Sequence, residues 1–355
     1  MKQTILYAAF LLLLVGALPL SCLLPEVSVL TSGLSAAANS SAGPDTSAPT
    51  SEPQSAADSE AAASAVPQAS AAPDTPAETA ILLQDGDTGN LLCLEVSEYV
   101  LGAAASEMPA SWPEQALLAQ MVASRSFVMY QKEHCADPAA GWITVAPARM
   151  QGYVPAGIRA ARWGDAAEAN EQKLQLLAAQ AQNYLLTYNG SPAAACYHAI
   201  SQGHTEASQN VWEEALPYLQ GVDSPLDQNA EGYSVSVEYS PQQISDALAA
   251  SLGINAGGDA AGWFGATQWY DTGYVRSIEV CGQSVAGVKL RNALGLRSNC
   301  FSISFSDGKF FILTRGYGHG VGLSQWGAKL MAEQGASWQE ILAHYFPGTE
   351  ICQTA

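Results

Sequence analysis

Residues 31–80 hold no Lys, no Arg and no aromatic side chain; they are mostly Ala, Ser, Pro, Thr and acid. Such a stretch cannot bury enough apolar surface to offset the entropy of ordering it. This constrains the chain more than any other feature, because whatever folds must begin near Ile81. The stretch itself reads as a flexible spacer. Ahead of it, residues 4–30 form a long apolar run behind Lys2. Its densest part, Ile5 to Leu24, is about one bilayer thickness as a helix. A cleaved signal peptide would show a short apolar core and a small-residue cleavage site. The positions before Cys22 are Pro19, Leu20 and Ser21, a poor lipoprotein site. An uncleaved anchor with the C-terminal bulk translocated is the better reading, with Lys2 the one flanking base. The expected organisation is a membrane anchor over 1–30, a disordered linker over 31–80 and one folded domain over 81–355.

The chain carries 33 acids against 14 bases, a net charge of −19. Of these, 26 acids and 13 bases fall in 81–355, so the folding part is itself acidic. Such a chain repels nucleic acid and anionic lipid surfaces, which excludes both as partners. An anionic ligand would have to be held by local basic side chains. The seven cysteines are scattered, with no CxxC pair. They read first as small buried hydrophobes; one or two disulfides stay open as an alternative.

From Ile81 the pattern mixes helix and strand. ILLQ and LLCLEV flank DGDTGN, a hairpin signal. Ser97 is placed to cap a helix running toward Glu107. Ser111-Trp112-Pro113-Glu114 reads as a capping box opening a second helix through about Tyr130. A third helix covers roughly 166–182. YLLTY and AACYHAI flank Asn189-Gly190, and CFSISF and KFFILT flank Ser306-Asp307-Gly308, two further hairpin signals. Residues 131–165 look like a long surface loop. Helices and strands interleave irregularly, so the expected fold class is α+β, with several hairpins and helices around a cleft.

Glu107 follows Val100, Ala103 and Ala104 on one helical face, and Pro109 ends the helix. A carboxyl at the buried end of an apolar face has a raised pKa, as a general acid near neutral pH requires. A helix-terminal Glu paired with an Arg is the bland alternative. The run from Tyr197 and His198 through Ser201, Gly203 and His204 follows a strand and could line a site or form a polar turn. Arg315 to Ala328 holds several glycines together with His319, Gln325 and Trp326. No βαβ unit or later acid accompanies these glycines, so nucleotide binding is rejected. Aromatic faces and amides suit a sugar; a packed glycine elbow is the competing reading. The five histidines form no HExxH and no paired Cys/His spacing, so no metal is expected. No GxSxG occurs, and Cys196 near His198 reads as core.

Four blocks, in order, resemble the sporulation and amidase-enhancer domain of the stage II sporulation protein D family. They are LEVSEYVLGAAASEMPASWPEQALLAQMVASRSF, YHAISQGHTEASQNVWEEALPYLQGV, TGYVRSIEVCGQSVAGVKLRNALGLRSNCFSI and RGYGHGVGLSQWGAKLMAEQGASWQEILAHYFPGTEI, spanning about 90–352. The resemblance implies a peptidoglycan lytic transglycosylase with Glu107 as the catalytic acid/base. Arg125 is the family's helix arginine, expected either to hold substrate or to orient Glu107. Tyr197, His198, Ser201, Tyr218, His319, Gln325 and Tyr345 are implied as further substrate-binding residues. The resemblance also implies glycan strands as substrate, action during sporulation and engulfment, a wall amidase and a membrane partner, and an extracytoplasmic position. The alternative within the same family is a non-catalytic wall-binding module that stimulates an amidase. Related members carry a Cys/His-rich zinc stretch, but here only His134 and Cys135 remain beside Arg149-Met150-Gln151-Gly152-Tyr153. Zinc is therefore not expected, nor any cofactor. His204 stands where Lys or Arg is more usual, which weakens any ionic contact expected there.

Overall fold

The computed structural model describes residues 80–212 and 214–354. The expected anchor and almost all of the expected linker lie outside them. Among the described residues no helix is long and apolar enough to cross a membrane.

The elements run β1 (Ala80–Asp85), β2 (Leu91–Glu95), α1 (Val96–Glu107), α2 (Glu114–His134), β3 (Ile143–Val145), α3 (Ala156–Trp163) and α4 (Ala167–Ala181). There follow β4 (Tyr184–Tyr188), β5 (Ser191–Pro192), β6 (Tyr197–His198) and α5 (Ser208–Trp212). Next come β7 (Ser234–Tyr239), α6 (Pro241–Leu252), β8 (Phe264–Trp269), β9 (Val275–Val280), β10 (Gln283–Ala286), α7 (Gly287–Leu294), β11 (Cys300–Ser306) and β12 (Lys309–Arg315). The chain closes with β13 (Leu323–Ser324), α8 (Gln325–Glu333), α9 (Trp338–Tyr345) and β14 (Glu350–Gln353). Helix and strand are mixed, as the sequence suggests.

Among the described residues two large apolar cores divide the work, beside a small cluster of Ile200, Ala230 and Tyr317. The larger joins α1, α2, β1, β4 and the closing helices, around Tyr99, Leu117, Met121, Ile341 and Phe346. The smaller draws its members from the segment between β7 and β12, around Ile244, Val275, Leu290, Phe301 and Phe310. In β12 the buried residues Phe310, Ile312 and Thr314 alternate with more exposed ones, the period-two pattern of a half-buried strand. The β11–β12 hairpin turns at Asp307 and Gly308, both with positive φ (49° and 74°), as a two-residue turn requires.

Several expectations need correction. The chain does turn at Asn189-Gly190, but β4 pairs with the short Ser191–Pro192, not with the longer run to Ile200. Pro192 lacks the N–H to carry the ladder on, and β14 takes the other edge of β4. Tyr197–His198 instead pairs parallel with Leu323–Ser324. Neither Ser97 nor Ser111 caps a helix; Glu95 and Pro113 occupy those positions without a side-chain bond. Residues 131–165 are no simple loop. They complete α2, add β3 parallel to β1, and form α3. Ion pairs and close backbone packing order this stretch, and neither leaves a periodic apolar pattern.

The β6–β13 pairing sets the functional region, and Gly322 permits it. At φ +72°, a Cβ there would sit 2.2 Å from the Cys196 carbonyl oxygen. Leu323 donates its amide to that same oxygen at 3.0 Å. Gly322→Ala should therefore cost ~3 kcal/mol or more, adding overpacking to backbone strain. Gly335→Ala, also at positive φ but facing open space, should cost only about 1–2 kcal/mol. Urea denaturation midpoints check the contrast; equal losses would refute the close-packing argument.

Candidate functional site

Glu107 ends α1, and Met108 leaves in an extended conformation with its amide donated to the Ala104 carbonyl. The helix face beneath, Val100, Ala103 and Ala104, is fully buried. Only part of Glu107 reaches solvent. Burial pushes its carboxyl up from 4.5 to about 7, and hydrogen bonds from Gln325 and Ser106 partly oppose the rise. Half of such carboxyls carry a proton near neutral pH.

A web of neutral polar groups holds the carboxyl. Gln325, the first residue of α8, donates from Nε2 to Glu107 Oε2 at 3.0 Å and toward Gln120 Oε1 at 3.4 Å. Gln120 donates to Ser124 Oγ at 3.1 Å. Ser106 Oγ donates to the Ala103 carbonyl at 2.7 Å and lies 3.5 Å from Glu107 Oε1. The rings of Tyr99 and Tyr197 complete the surroundings: burial raises both phenols, and the Glu107 carboxylate raises them further. Both therefore stay protonated at neutral pH. Gln325→Leu removes a donor that favours the ionised carboxyl, so Glu107 should titrate at a higher pH. A carboxyl-carbon NMR titration would see this, and a fall in the midpoint would contradict the geometry.

Beside this web lie two buried imidazoles. His198 Nδ1–H donates to the Val321 carbonyl, and the Val321 amide donates to His319 Nδ1, both at 3.1 Å. Their rings are 5.6 Å apart, and Trp212 lies 5.0 Å from His319. Burial pulls His198 down to about 4 and His319 well below its ordinary value, with His198 and Arg291 adding to the latter. Both rings are neutral at pH 7. Nε2 of His198, then an acceptor, has no protein partner among the described residues.

The other expected residues have different tasks. Arg125 is buried, with Nη1 donating to the Tyr184 carbonyl and to Thr354 Oγ1, both at 3.0 Å. It ties α2 to β4 and the chain's end. Among the described residues no ion pair joins it to Glu107. Burial also draws its pKa down to about 10. Tyr218 is buried as well, its hydroxyl accepting from the Ala194 amide at 2.9 Å. The Ser201 amide donates to Asp227 Oδ2 at 2.8 Å, the Ser224 hydroxyl lies 3.2 Å from that oxygen, and Tyr345 meets Ser224 at 2.7 Å. This chain supports the start of α8 from behind, where a Cβ on Gly327 would strike Tyr345.

The sequence reading missed Gln120, Ser124, Tyr99 and Ser106. Gln120 left one signal: a wholly buried amide inside the apolar run ALLAQMVA. His134 Nδ1–H donates to the Tyr130 carbonyl at 2.7 Å and the Cys135 thiol to the Lys132 carbonyl at 3.1 Å. No group of three potential metal ligands assembles among the described residues. The six described cysteines are free: Cys196, Cys300 and Cys352 are buried, whereas Cys93 is exposed.

Comparison with known proteins decides the family. A family model described as stage II sporulation protein matches residues 84–188. Stage II sporulation protein D of Bacillus amyloliquefaciens is 33% identical over 262 residues, covering 73% of this chain and 75% of the relative. The chain belongs to the stage II sporulation protein D family. The Bacillus subtilis member is 31% identical over 263 residues, with 73% and 75% covered. An amidase enhancer of Bacillus subtilis is 28% identical over 300 residues, 70% of this chain and 40% of that protein. The segment matched by the family model carries Glu107, and Gln325 reaches it from beyond that segment.

Proposed function

We propose that this protein is a peptidoglycan lytic transglycosylase acting on peptide-stripped glycan strands during septal remodelling and engulfment. One observation carries the reading: Glu107 is a carboxyl poised near neutral pH inside a web of neutral donors. No second carboxylate shares that web among the described residues. Glycoside hydrolysis ordinarily needs two carboxyl groups. Anhydro-ring formation can proceed with one. Glu107 donates its proton to the glycosidic oxygen as the bond from muramic C1 to that oxygen breaks. The Glu107 carboxylate then takes the proton of the muramic C6 hydroxyl, and the C6 oxygen bonds to C1. Glu107 ends protonated again, and no water is consumed. Gln325 fixes the carboxyl; Tyr197, the neutral His198 and His319 pair, and the Trp112–Trp326 rings at 5.3 Å supply hydroxyl, imidazole and aromatic partners for sugar rings.

The test is product chemistry. Peptide-stripped glycan incubated with the protein should yield 1,6-anhydromuramic ends by mass spectrometry; reducing ends would overturn the reading. The likeness to an amidase enhancer favours a second reading, a module that binds wall and stimulates an amidase. A Glu107→Gln protein that still fully stimulates a wall amidase, with no anhydro product from the parent, would select it. For either reading we place the domain of 81–355 on the wall side, tethered by 1–30 through the 31–80 spacer, with an amidase and a membrane protein of the engulfment machinery as partners. Protease added outside intact cells should cut in 31–80; protection would refute this placement.

A further inference from the structure

A glycan strand stripped of its stem peptides bears a free lactyl carboxylate on each muramic residue, so a protein that prefers such strands needs a cation at the site. Arg125 is a poor source of it: the residue is 3% exposed and its Nη1 bonds Tyr184 and Thr354, while its Nε is buried without a partner among the described residues. Lys173 is committed to the carbonyls of Ala110 and Trp112 at 2.9 and 2.8 Å, and Arg162 donates to the Ala105 carbonyl at 3.1 Å. These cations brace the backbone on either side of Glu107.

Lys329 is differently placed. It lies on α8 four residues after Gln325, so the two share a helix face. Gln325 on that face holds Glu107. Lys329 Nζ lies 4.7 Å from the Trp326 ring centroid and 6.0 Å from that of Trp112. Trp112 belongs to the short segment leaving Glu107, and Trp326 directly follows Gln325, so both rings are tied through the chain to the carboxyl. Among the described residues, the one ion pair of Lys329 is with Glu333, one turn on at 2.9 Å. The Glu333 side chain is 45% exposed and that of Lys329 only 19%. An i,i+4 pair whose carboxylate is this exposed holds weakly and exchanges readily. A carboxylate arriving over the rings would meet a partly desolvated ammonium, where charges attract more strongly than at open surface.

Resting on the glycan reading above, we infer that Lys329, seated on the Trp112–Trp326 pair, recognises the free lactyl carboxylate and is a specificity-determining residue for stripped strands. A muramic residue still amidated to a stem peptide lacks the carboxylate at the lactyl position, and the peptide's own carboxylates lie further from the sugar ring. Lys329 leaves Glu333 for the lactyl group and returns to it when the product departs. No proton or covalent bond changes hands in this step.

The test uses the full chain with Glu107→Gln, in which turnover should be about 10²–10⁴-fold slower. It is titrated with a GlcNAc–MurNAc tetrasaccharide bearing free lactyl carboxylates, and with the same sugar as its lactyl methylamide. The acid should bind roughly ten-fold tighter, or ~1.4 kcal/mol. Adding Lys329→Gln should bring that preference close to unity without changing methylamide affinity, and Lys329→Arg should retain it. A preference unchanged by Lys329→Gln, equal loss for both ligands, no preference in the parent, or no binding of either sugar would each overturn the inference. Should Lys329→Gln fail to fold, salt gives an independent readout: acid affinity should fall with ionic strength while methylamide affinity holds. Parallel salt dependence would overturn the assignment. Acid-selective binding without anhydro product from the Glu107 protein would leave Lys329 standing and remove the transglycosylase reading.

Discussion

Replacing Glu107 with Gln should lower the release of 1,6-anhydro ends by about 10²–10⁴-fold, the usual contribution of a positioned general acid. The amide keeps the shape of the carboxyl and can still accept from Gln325, but it offers no acidic proton to the leaving oxygen. The fold should not suffer. The Glu107 pKa rises from 4.5 in the unfolded chain to about 7 in the folded one. Between these values the folded state binds a proton that the unfolded state has released, so stability falls as pH rises through this window. Below it both states are protonated and the group contributes no slope; above about 7 both are ionised and the penalty is constant. The Gln variant has no such slope. Its melting temperature relative to the parent should therefore rise from near pH 4.5 to neutrality and then level off. The parent's rate should fall above pH about 7 as the acid form is depleted. A variant within ten-fold of parental activity would remove Glu107 from the mechanism.

The sequence made Glu107 legible because its signal is local. An acid seven residues after Val100 on an apolar face, followed by a helix-ending Pro, is visible in one short segment. Its partner Gln325 lies 218 residues away. Gln325 was singled out as part of a glycine-rich segment, but nothing local joins it to Glu107. The link is made by β6 pairing with β13, two residues on each side, too short to leave a periodic pattern. Arg125 shows the converse. The family resemblance implied that it holds substrate or orients Glu107; its bonds to Tyr184 and Thr354, which tie α2 to β4 and the chain's end, are visible only in the tertiary structure. The turns at Gly190 and Gly308 were legible because a turn needing positive φ selects its residues locally; the strand that follows Gly190 was not. The stretch 131–165 was not legible either, because an ionic cluster and close backbone packing order it, and neither leaves a periodic pattern.

That cluster sets the second large effect. Arg159→Met should destabilise the protein by ~3–5 kcal/mol, the usual cost of removing one partner from a buried ionic group. The guanidinium is 1% exposed and joins three helices. It donates to both Glu98 oxygens at 2.8 and 3.2 Å, to both Glu171 oxygens at 3.0 and 2.6 Å, and to the Val154 carbonyl at 2.8 Å. Tyr153 adds a bond to Glu98 at 2.8 Å. The net worth of the cluster is smaller than this loss, because removing Arg159 leaves two carboxylates facing each other across α1 and α4. Glu98 and Glu171 retain 35% and 25% exposure, so water can partly rescue them, which points to the lower end of the range. Lys would not restore the geometry, since its single ammonium cannot serve two carboxylates and a carbonyl from one plane. Adding Glu98→Gln and Glu171→Gln to Arg159→Met should recover much of the stability by removing the stranded charge. Urea denaturation of the three proteins checks this: a triple variant no more stable than Arg159→Met would mean that packing around the guanidinium, not charge, orders α3 against α1, the helix that ends in Glu107.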